Sequence, residues 1–156
     1  MPQETEEQRY FEDVQPGDPI PSREYGPLTI VDSVRWLGFQ ENPSPTHCDR
    51  DYVRERHGGK SFISSGAYRQ SLLVRTITDW IGPQGKLHKL SVRQTHPTYE
   101  GDTMRYSGTV AEKSRTSADP WVRCELEGKN QEGRQILTGH CTLIFPARHE
   151  ESGLDA

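Results

Sequence analysis

The strongest constraint on the fold is a change in the spacing of apolar residues near the middle of the chain. Between positions 66 and 81 they recur every three or four residues, which is the period of an amphipathic helix, and Gly82-Pro83 then ends it. From Leu90 onward they alternate with polar residues, which is the period of strands. One long helix followed by consecutive strands predicts an α+β fold whose antiparallel sheet wraps the helix.

Shorter elements are marked by their capping residues. Thr29, with Asp32 three residues later, is a capping-box variant that predicts the start of a helix. Asp49 is expected to cap a second helix, which Gly58-Gly59 would end. The apolar face of the long helix is expected to contain Ala67, Leu72, Leu73, Thr76, Ile77 and Trp80. Strands are expected over residues 90–93, 104–110, 121–127 and 135–145.

The chain length allows one domain. It has 156 residues, and we find no internal repeat and no low-complexity linker. Residues 1–9 are acidic and polar, and residues 147–156 have a similar composition, so both ends are predicted to be disordered. The folded domain is therefore predicted to span residues 10–146.

Composition excludes several classes of function. A formal net charge of −4 lacks the basic footprint of a nucleic-acid-binding protein, and no segment approaches the roughly 18 apolar residues that span a bilayer. Three cysteines without a C-x-x-C pair, and histidines without paired spacing, predict no metal site. Together these features predict a cytoplasmic protein without nucleic-acid or membrane partners. Hydrophobic residues make up only 31%, so a subunit interface is expected to complete the core.

The richest polar cluster is the segment 40–49, which lies between the two short helices. Two prolines restrict its backbone and can hold His47 in one orientation. Histidine is the side chain best suited to move protons near neutral pH, so His47 is a candidate acid–base residue. The alternative is that His47 only anchors the loop by hydrogen bonds.

Three short segments of this region resemble the hydratase motif of the MaoC-like dehydratases. They are P-T-H-C-D at 45–49, Y-V at 52–53 and I-S-S-G at 63–66, and the lead-in at 11–18 is also similar to that of the family. These proteins are hotdog-fold (R)-specific enoyl-thioester hydratases. The resemblance implies a single hotdog domain with a curved sheet around the long helix, paired in a homodimer or in a heterodimer or tetramer of hotdog subunits. It also implies an acyl-thioester substrate, carried on coenzyme A or an acyl carrier protein, with no other cofactor.

The resemblance also implies the roles of individual residues. His47 matches the acid–base histidine that activates water, and Gly66 matches the glycine whose backbone N–H binds the thioester oxygen. Ser65 would cap the helix or contact the substrate. Asn42 stands where the family has a catalytic aspartate, and its amide could orient the water as donor and acceptor but could not act as a base. Asp49 is expected to be an N-cap and not a substitute base.

The resemblance leaves three hypotheses for the activity. The leading one is an enoyl-thioester hydratase, or a 3-hydroxyacyl-thioester dehydratase in reverse. The second is a catalytically degenerate hotdog subunit, which lost its carboxylate at Asn42 and shapes the acyl tunnel for a catalytic partner. The third is an acyl-CoA thioesterase, which ranks lowest because positions 66–78 of the long helix contain no carboxylate.

Overall fold

The computed structural model describes residues 8–41, 44–58, 61–115 and 120–148. Within these residues the chain forms three helices, five strands and two short 3₁₀ turns. The helices are α1 (Ile30–Gln40), α2 (Arg50–His57) and α3 (Gly66–Ile81). The strands are β1 (Pro19–Tyr25), β2 (Lys86–Gln94), β3 (Met104–Arg115), β4 (Pro120–Asn130) and β5 (Gln135–Ile144). The 3₁₀ turns are Phe11–Asp13 and Pro45–His47.

The two short helices begin where their capping residues predict. At α1, the Thr29 hydroxyl accepts from the backbone N–H of Asp32 at 3.3 Å, and the Asp32 carboxylate accepts from the N–H of Thr29 at 2.9 Å. At α2, the carboxylate of Asp49 accepts from two backbone N–H groups of the first turn, both at 3.0 Å. Gly58 ends α2 in the left-handed conformation, with a φ of 70°. These caps satisfy backbone groups that the helix itself cannot pair.

The strands form one antiparallel sheet in the order β1-β3-β4-β5-β2 over the described residues. Inner-face residues of α3 and of the sheet belong to a single hydrophobic cluster, so the helix packs against the sheet. Trp80 of α3 meets Phe145 edge-to-face, with 5.7 Å between ring centroids. Burial of one face of α3 and of the central strands β3, β4 and β5 explains why their periods were visible in the sequence. The predicted α+β architecture is confirmed.

Three details differ from the sequence-based expectations. Strand β1 was not predicted as a strand; Ile20 is its one buried residue, so it lacks the alternation that marks a half-buried strand. Strands β2, β3 and β4 are longer than predicted. On α3, Ala67 is exposed although we expected it on the apolar face, and Arg69 is buried there instead. Helical period alone places position 69 on the same face as Leu72 and Leu73.

The described residues extend slightly beyond the predicted domain of 10–146. Gln8 donates to the carbonyl of Ile81 at 3.2 Å, and Arg148 forms an ion pair with Asp13 at 2.7 Å. Most of the two predicted disordered ends, residues 1–7 and 149–156, lies outside the described residues, and their disorder stays a prediction. None of the helices in the described part of the chain is both long enough and apolar enough to cross a membrane.

Candidate active site

His47 is the last residue of the 3₁₀ turn between α1 and α2, and its backbone is held on both sides. Its N–H donates to the carbonyl of Ser44 at 2.9 Å, and the hydroxyl of Ser33, on α1, donates to its carbonyl oxygen. Pro45 starts the turn, which suits the fixed φ of proline. The loop therefore presents the half-buried His47 ring in a defined direction.

The His47 ring has one nitrogen engaged by the backbone. Its Nδ1 lies 2.7 Å from the carbonyl oxygen of Ile63. Because a carbonyl oxygen can only accept, Nδ1 carries the hydrogen, and the lone pair of the neutral imidazole is on Nε2. A second bond, from the N–H of Ile63 to the carbonyl of Thr46 at 3.0 Å, joins the same two segments. This arrangement fixes the tautomer and leaves Nε2 as the basic atom.

The segment that holds His47 leads directly into α3. Ile63 precedes the first helical residue, Gly66, by three positions, and the N–H of Ser64 donates to the carbonyl of Thr98 at 2.8 Å. Ser65 is the N-cap residue, but its hydroxyl does not cap the helix. The first N–H groups of an α-helix have no partner within the helix, and the helix dipole is positive there. The amino end of α3 is therefore a preformed site for negative charge.

Glycine at position 66 leaves room for a close neighbour. The side-chain amide nitrogen of Gln94, at the end of β2, donates to the carbonyl of Gly66 at 2.8 Å. A Cβ atom at position 66 would lie 2.8 Å from that nitrogen, so any other residue would displace Gln94. The start of α3 is thus braced by the side chain of Gln94.

A carboxylate clamps α2 to the segment before α3. The Nε of Arg50 donates to Glu100 at 2.8 Å, the guanidinium makes a second bond to the same carboxylate, and the Ser61 hydroxyl also donates to it. The bond from Arg50, followed by that from Ser61, lowers the pKa of Glu100 from its ordinary 4.5 to about 2. Because Arg50 begins the helix after His47 and Ser61 precedes α3, this clamp supports both halves of the site.

Comparison with curated proteins finds a hydratase subunit. No protein-family model matches the chain. The chain is 27% identical over 114 residues to the 3-oxo-4,17-pregnadiene-20-carboxyl-CoA hydratase beta subunit of Mycobacterium tuberculosis strain H37Rv. The alignment covers 72% of this chain and 81% of that subunit.

Solved structures of hydratases and dehydratases superpose on this chain. The (R)-hydratase PhaJ1 from Pseudomonas aeruginosa gives a TM-score of 0.80 at 21% identity, covering 88% of this chain and 86% of that one. The MaoC-like dehydratase from Rhodospirillum rubrum gives 0.77 at 19% identity, covering 91% and 99%. This chain has their hotdog fold. The ChsH1–ChsH2 complex from Mycobacterium tuberculosis gives 0.73 at 22% identity, covering 85% and 98%. The predicted resemblance to MaoC-like proteins is confirmed.

In this hotdog chain, three of the four predicted site residues lie in the described part. His47 is joined through Ile63 to the strand-like segment that ends at Ser65 and Gly66, so these residues border one region. Asn42 lies outside the described residues, and its role stays a prediction. Glu41, the residue before it, ends α1 in the left-handed conformation with a φ of 51° and is exposed.

Sequence reasoning placed neither Arg69 nor Gln94 beside the start of α3, where the structure brings them together. Arg69 is charged, so it was left off the apolar face even though helical periodicity includes it. Gln94 ends a strand that the alternation predicted only as far as position 93. Among the described residues, no three His, Cys, Asp or Glu side chains come together where they could hold a metal ion.

Proposed function

We propose that this protein is an enoyl-thioester hydratase, which adds water across the α,β double bond of an enoyl-CoA and, in reverse, dehydrates a 3-hydroxyacyl thioester. The observation that carries the proposal is the bond between His47 Nδ1 and Ile63 O, because it occupies one ring nitrogen, leaves Nε2 as the basic atom, and joins His47 to the segment that leads into α3. Similarity to a protein named a CoA hydratase subunit and to a solved (R)-hydratase supports this class of reaction.

The chemistry needs one water, one base and one site for negative charge. His47 Nε2 accepts a proton from water as the water oxygen bonds to the β-carbon of the enoyl group. The electrons of the double bond move toward the thioester, whose oxygen gains enolate charge. The protonated imidazole then gives its proton to the α-carbon, so that the elements of water are added and the enzyme returns to its starting state.

The amino end of α3 supplies the site for that charge. Its free N–H groups, that of Gly66 first, can donate to the thioester oxygen, and the helix dipole adds a positive potential. These donors are fixed before the substrate binds, so little reorganisation accompanies the reaction. We propose that Ser65 contacts the same thioester; its hydroxyl does not cap the helix, which leaves it available for this contact.

The first test compares hydration of crotonyl-CoA, and of longer and branched enoyl-CoAs, by the wild type and by His47→Gln. We expect the rate to fall by about 10²- to 10⁴-fold, because the acid–base group is lost. The matched control is His140→Gln on β5, which removes an imidazole paired in register with Ser91 and should keep wild-type activity. Equal activity in wild type and His47→Gln would reject the role of His47.

The main alternative is a degenerate subunit that shapes the acyl tunnel for a catalytic partner. It is favoured by the amide at Asn42 and by the names of two similar proteins, one a beta subunit and one a two-protein complex. In a working site, Asn42 would orient the attacking water. In a degenerate subunit, it would mark the loss of the carboxylate.

Asn42→Asp separates these two functions. If the Asn site is active, we expect hydration to be unchanged or slower after the substitution. A rise from no activity to measurable hydration would instead favour the degenerate subunit, as would a second hotdog chain that co-purifies and restores activity. Release of free thiol from saturated acyl-CoA would favour the thioesterase in place of both.

The proposal also includes the carrier of the acyl group and the cellular compartment. We propose that the acyl group arrives as a thioester of coenzyme A or of an acyl carrier protein and that His47 and α3 act on it without a further cofactor. The three cysteines are free thiols, with Cys124 and Cys141 fully buried, which agrees with a reducing cytoplasm.

A further inference from the structure

Arg69 is a buried cation one turn beyond Gly66 on α3. Only 6% of it is exposed, and its Nη1 donates to the carbonyl of His96 at 2.7 Å and to the hydroxyl of Thr98 at 3.2 Å. Its Nη2 donates to the side-chain oxygen of Gln94, and its Nε is buried without a partner in the described structure. All of these acceptors are neutral, and no ion pair of Arg69 is present among the described residues.

Such a cation is costly for stability. A buried charge without a carboxylate loses its hydration and gains little in return, and a cation near the positive end of a helix is further disfavoured. Burial accordingly lowers the pKa of Arg69. The neighbouring inward positions, Leu72 and Leu73, show that this face of α3 otherwise packs apolar side chains. Packing therefore does not explain why a charged residue lies at position 69.

Gln94 connects Arg69 to the start of α3. The amide group of Gln94 has one accepting end and one donating end. Arg69 has only donors, so it requires the accepting oxygen on its side, and this turns the amide nitrogen toward the carbonyl of Gly66, 2.8 Å away. The same nitrogen occupies the space that a side chain at position 66 would need. Arg69 thereby determines the orientation of the group that braces the first peptide of the helix.

We propose that Arg69 and Gln94 are positioning residues of the hydratase site, which hold the amino end of α3 in the geometry that binds the thioester oxygen. This inference rests on the proposed function. The uncompensated charge of Arg69 also adds to the positive potential at the helix start, where enolate charge develops. The buried cation thus lowers the stability of the fold and strengthens the binding of the transition state.

Gln94→Glu is the decisive variant, because it separates positioning from simple structural support. The new carboxylate can form an ion pair with Arg69 and should preserve the fold. It would also neutralise the buried charge and replace the donor to Gly66 O with an acceptor. We expect kcat for crotonyl-CoA to fall on the order of 10²-fold, with KM within a few-fold of wild type and unfolding at the wild-type urea concentration or above.

Three further variants test the same role, namely Arg69→Met, Arg69→Lys and Arg75→Met. Arg69→Met should lower kcat by a similar factor, and Arg69→Lys, which restores a charge and donors, should recover part of it. Arg75 lies on the same helix but is two-thirds exposed and pairs with Asp79, so Arg75→Met should retain the wild-type kcat. A Gln94→Glu protein that is folded and has wild-type kcat would overturn the proposal, even if Arg69→Met does not fold.

A measurement without substrate separates this inference from the proposed function. In ¹H–¹⁵N spectra, Arg69→Lys and Gln94→Glu should shift the backbone amide resonances of Gly66 and Ala67, whereas Arg75→Met should not. Unshifted resonances in the first two variants would overturn the inference whether or not the wild type hydrates enoyl-CoA. Shifted resonances in an inactive wild-type background would uphold the bracing of α3 and reject the hydratase function alone.

Discussion

The Glu100 side chain supports the candidate site, although it has no proposed role in the reaction. Its carboxylate receives Arg50 from the start of α2 and Ser61 from the segment before α3, which are the two parts of the chain that flank His47 in space. Arg50 is about half exposed, with 47% of its side chain accessible, so water screens the ion pair and its contribution to stability is modest.

Glu100→Gln is expected to lower the free energy of unfolding by about 1 kcal/mol or less near neutral pH. The folded-state pKa of Glu100, about 2, lies below the ordinary 4.5, so the stabilisation is present above pH 4.5 and is lost as the pH falls toward 2. Urea unfolding of both proteins between acidic and neutral pH would test this. A difference in stability that does not change with pH would contradict it.

The two short helices of this protein begin at capping side chains that can be recognised in the sequence. Asp49 accepts from Asp51 N–H and Tyr52 N–H and so begins α2 directly after the His47 turn. An N-cap aspartate also lies favourably at the positive end of the helix dipole. This capping role accounts for its carboxylate without a role in catalysis.

Two substitutions at Asp49 distinguish a capping role of its carboxylate from a catalytic role. Asparagine caps about as well as aspartate, so Asp49→Asn should keep both stability and hydratase rate, whereas Asp49→Ala should lose about 1 kcal/mol of stability. Thermal unfolding and initial rates on crotonyl-CoA would measure the two effects. A folded Asp49→Asn protein whose rate drops 10²-fold would show that the carboxylate takes part in the chemistry.

The whole subunit leaves large apolar side chains in contact with water. Phe39 is 81% exposed and Val31 and Val34 are each 51% exposed, all on α1. Two of the proteins similar to this chain are named as a subunit and as a two-protein complex. A chain with few apolar residues that still exposes several of them is typical of a subunit rather than of a free monomer.

We therefore expect the purified protein to sediment above the 17.8 kDa mass of one chain, as a homodimer or, with a second hotdog chain, as a heteromer. Sedimentation equilibrium over a range of concentrations would determine the mass, and co-expression with a candidate partner gene product would distinguish the two assemblies. A single species at 17.8 kDa at every concentration would contradict the prediction.

The sequence by itself determined the long helix, its stop at Gly82-Pro83, the caps of α1 and α2, and the antiparallel order of the later strands. Each depends on neighbours within a few residues or on one buried face, so the information is local. The motif around His47 and Gly66 also indicated where the candidate site lies. Strand β1 was not predicted because its apolar and polar residues show little alternation. It is held instead by pairing with β3, which lies far along the chain.

Only the tertiary structure decided how those local pieces meet. That the His47 ring bonds to Ile63, and that Gln94 occupies the space beside Gly66, depends on segments separated by 16 and 28 positions. The burial of Arg69 ran against the general preference of charged residues for the surface. Its environment is created by three neutral acceptors from the end of β2 and the loop after it, and no pattern of neighbouring residues along the chain encodes such a convergence.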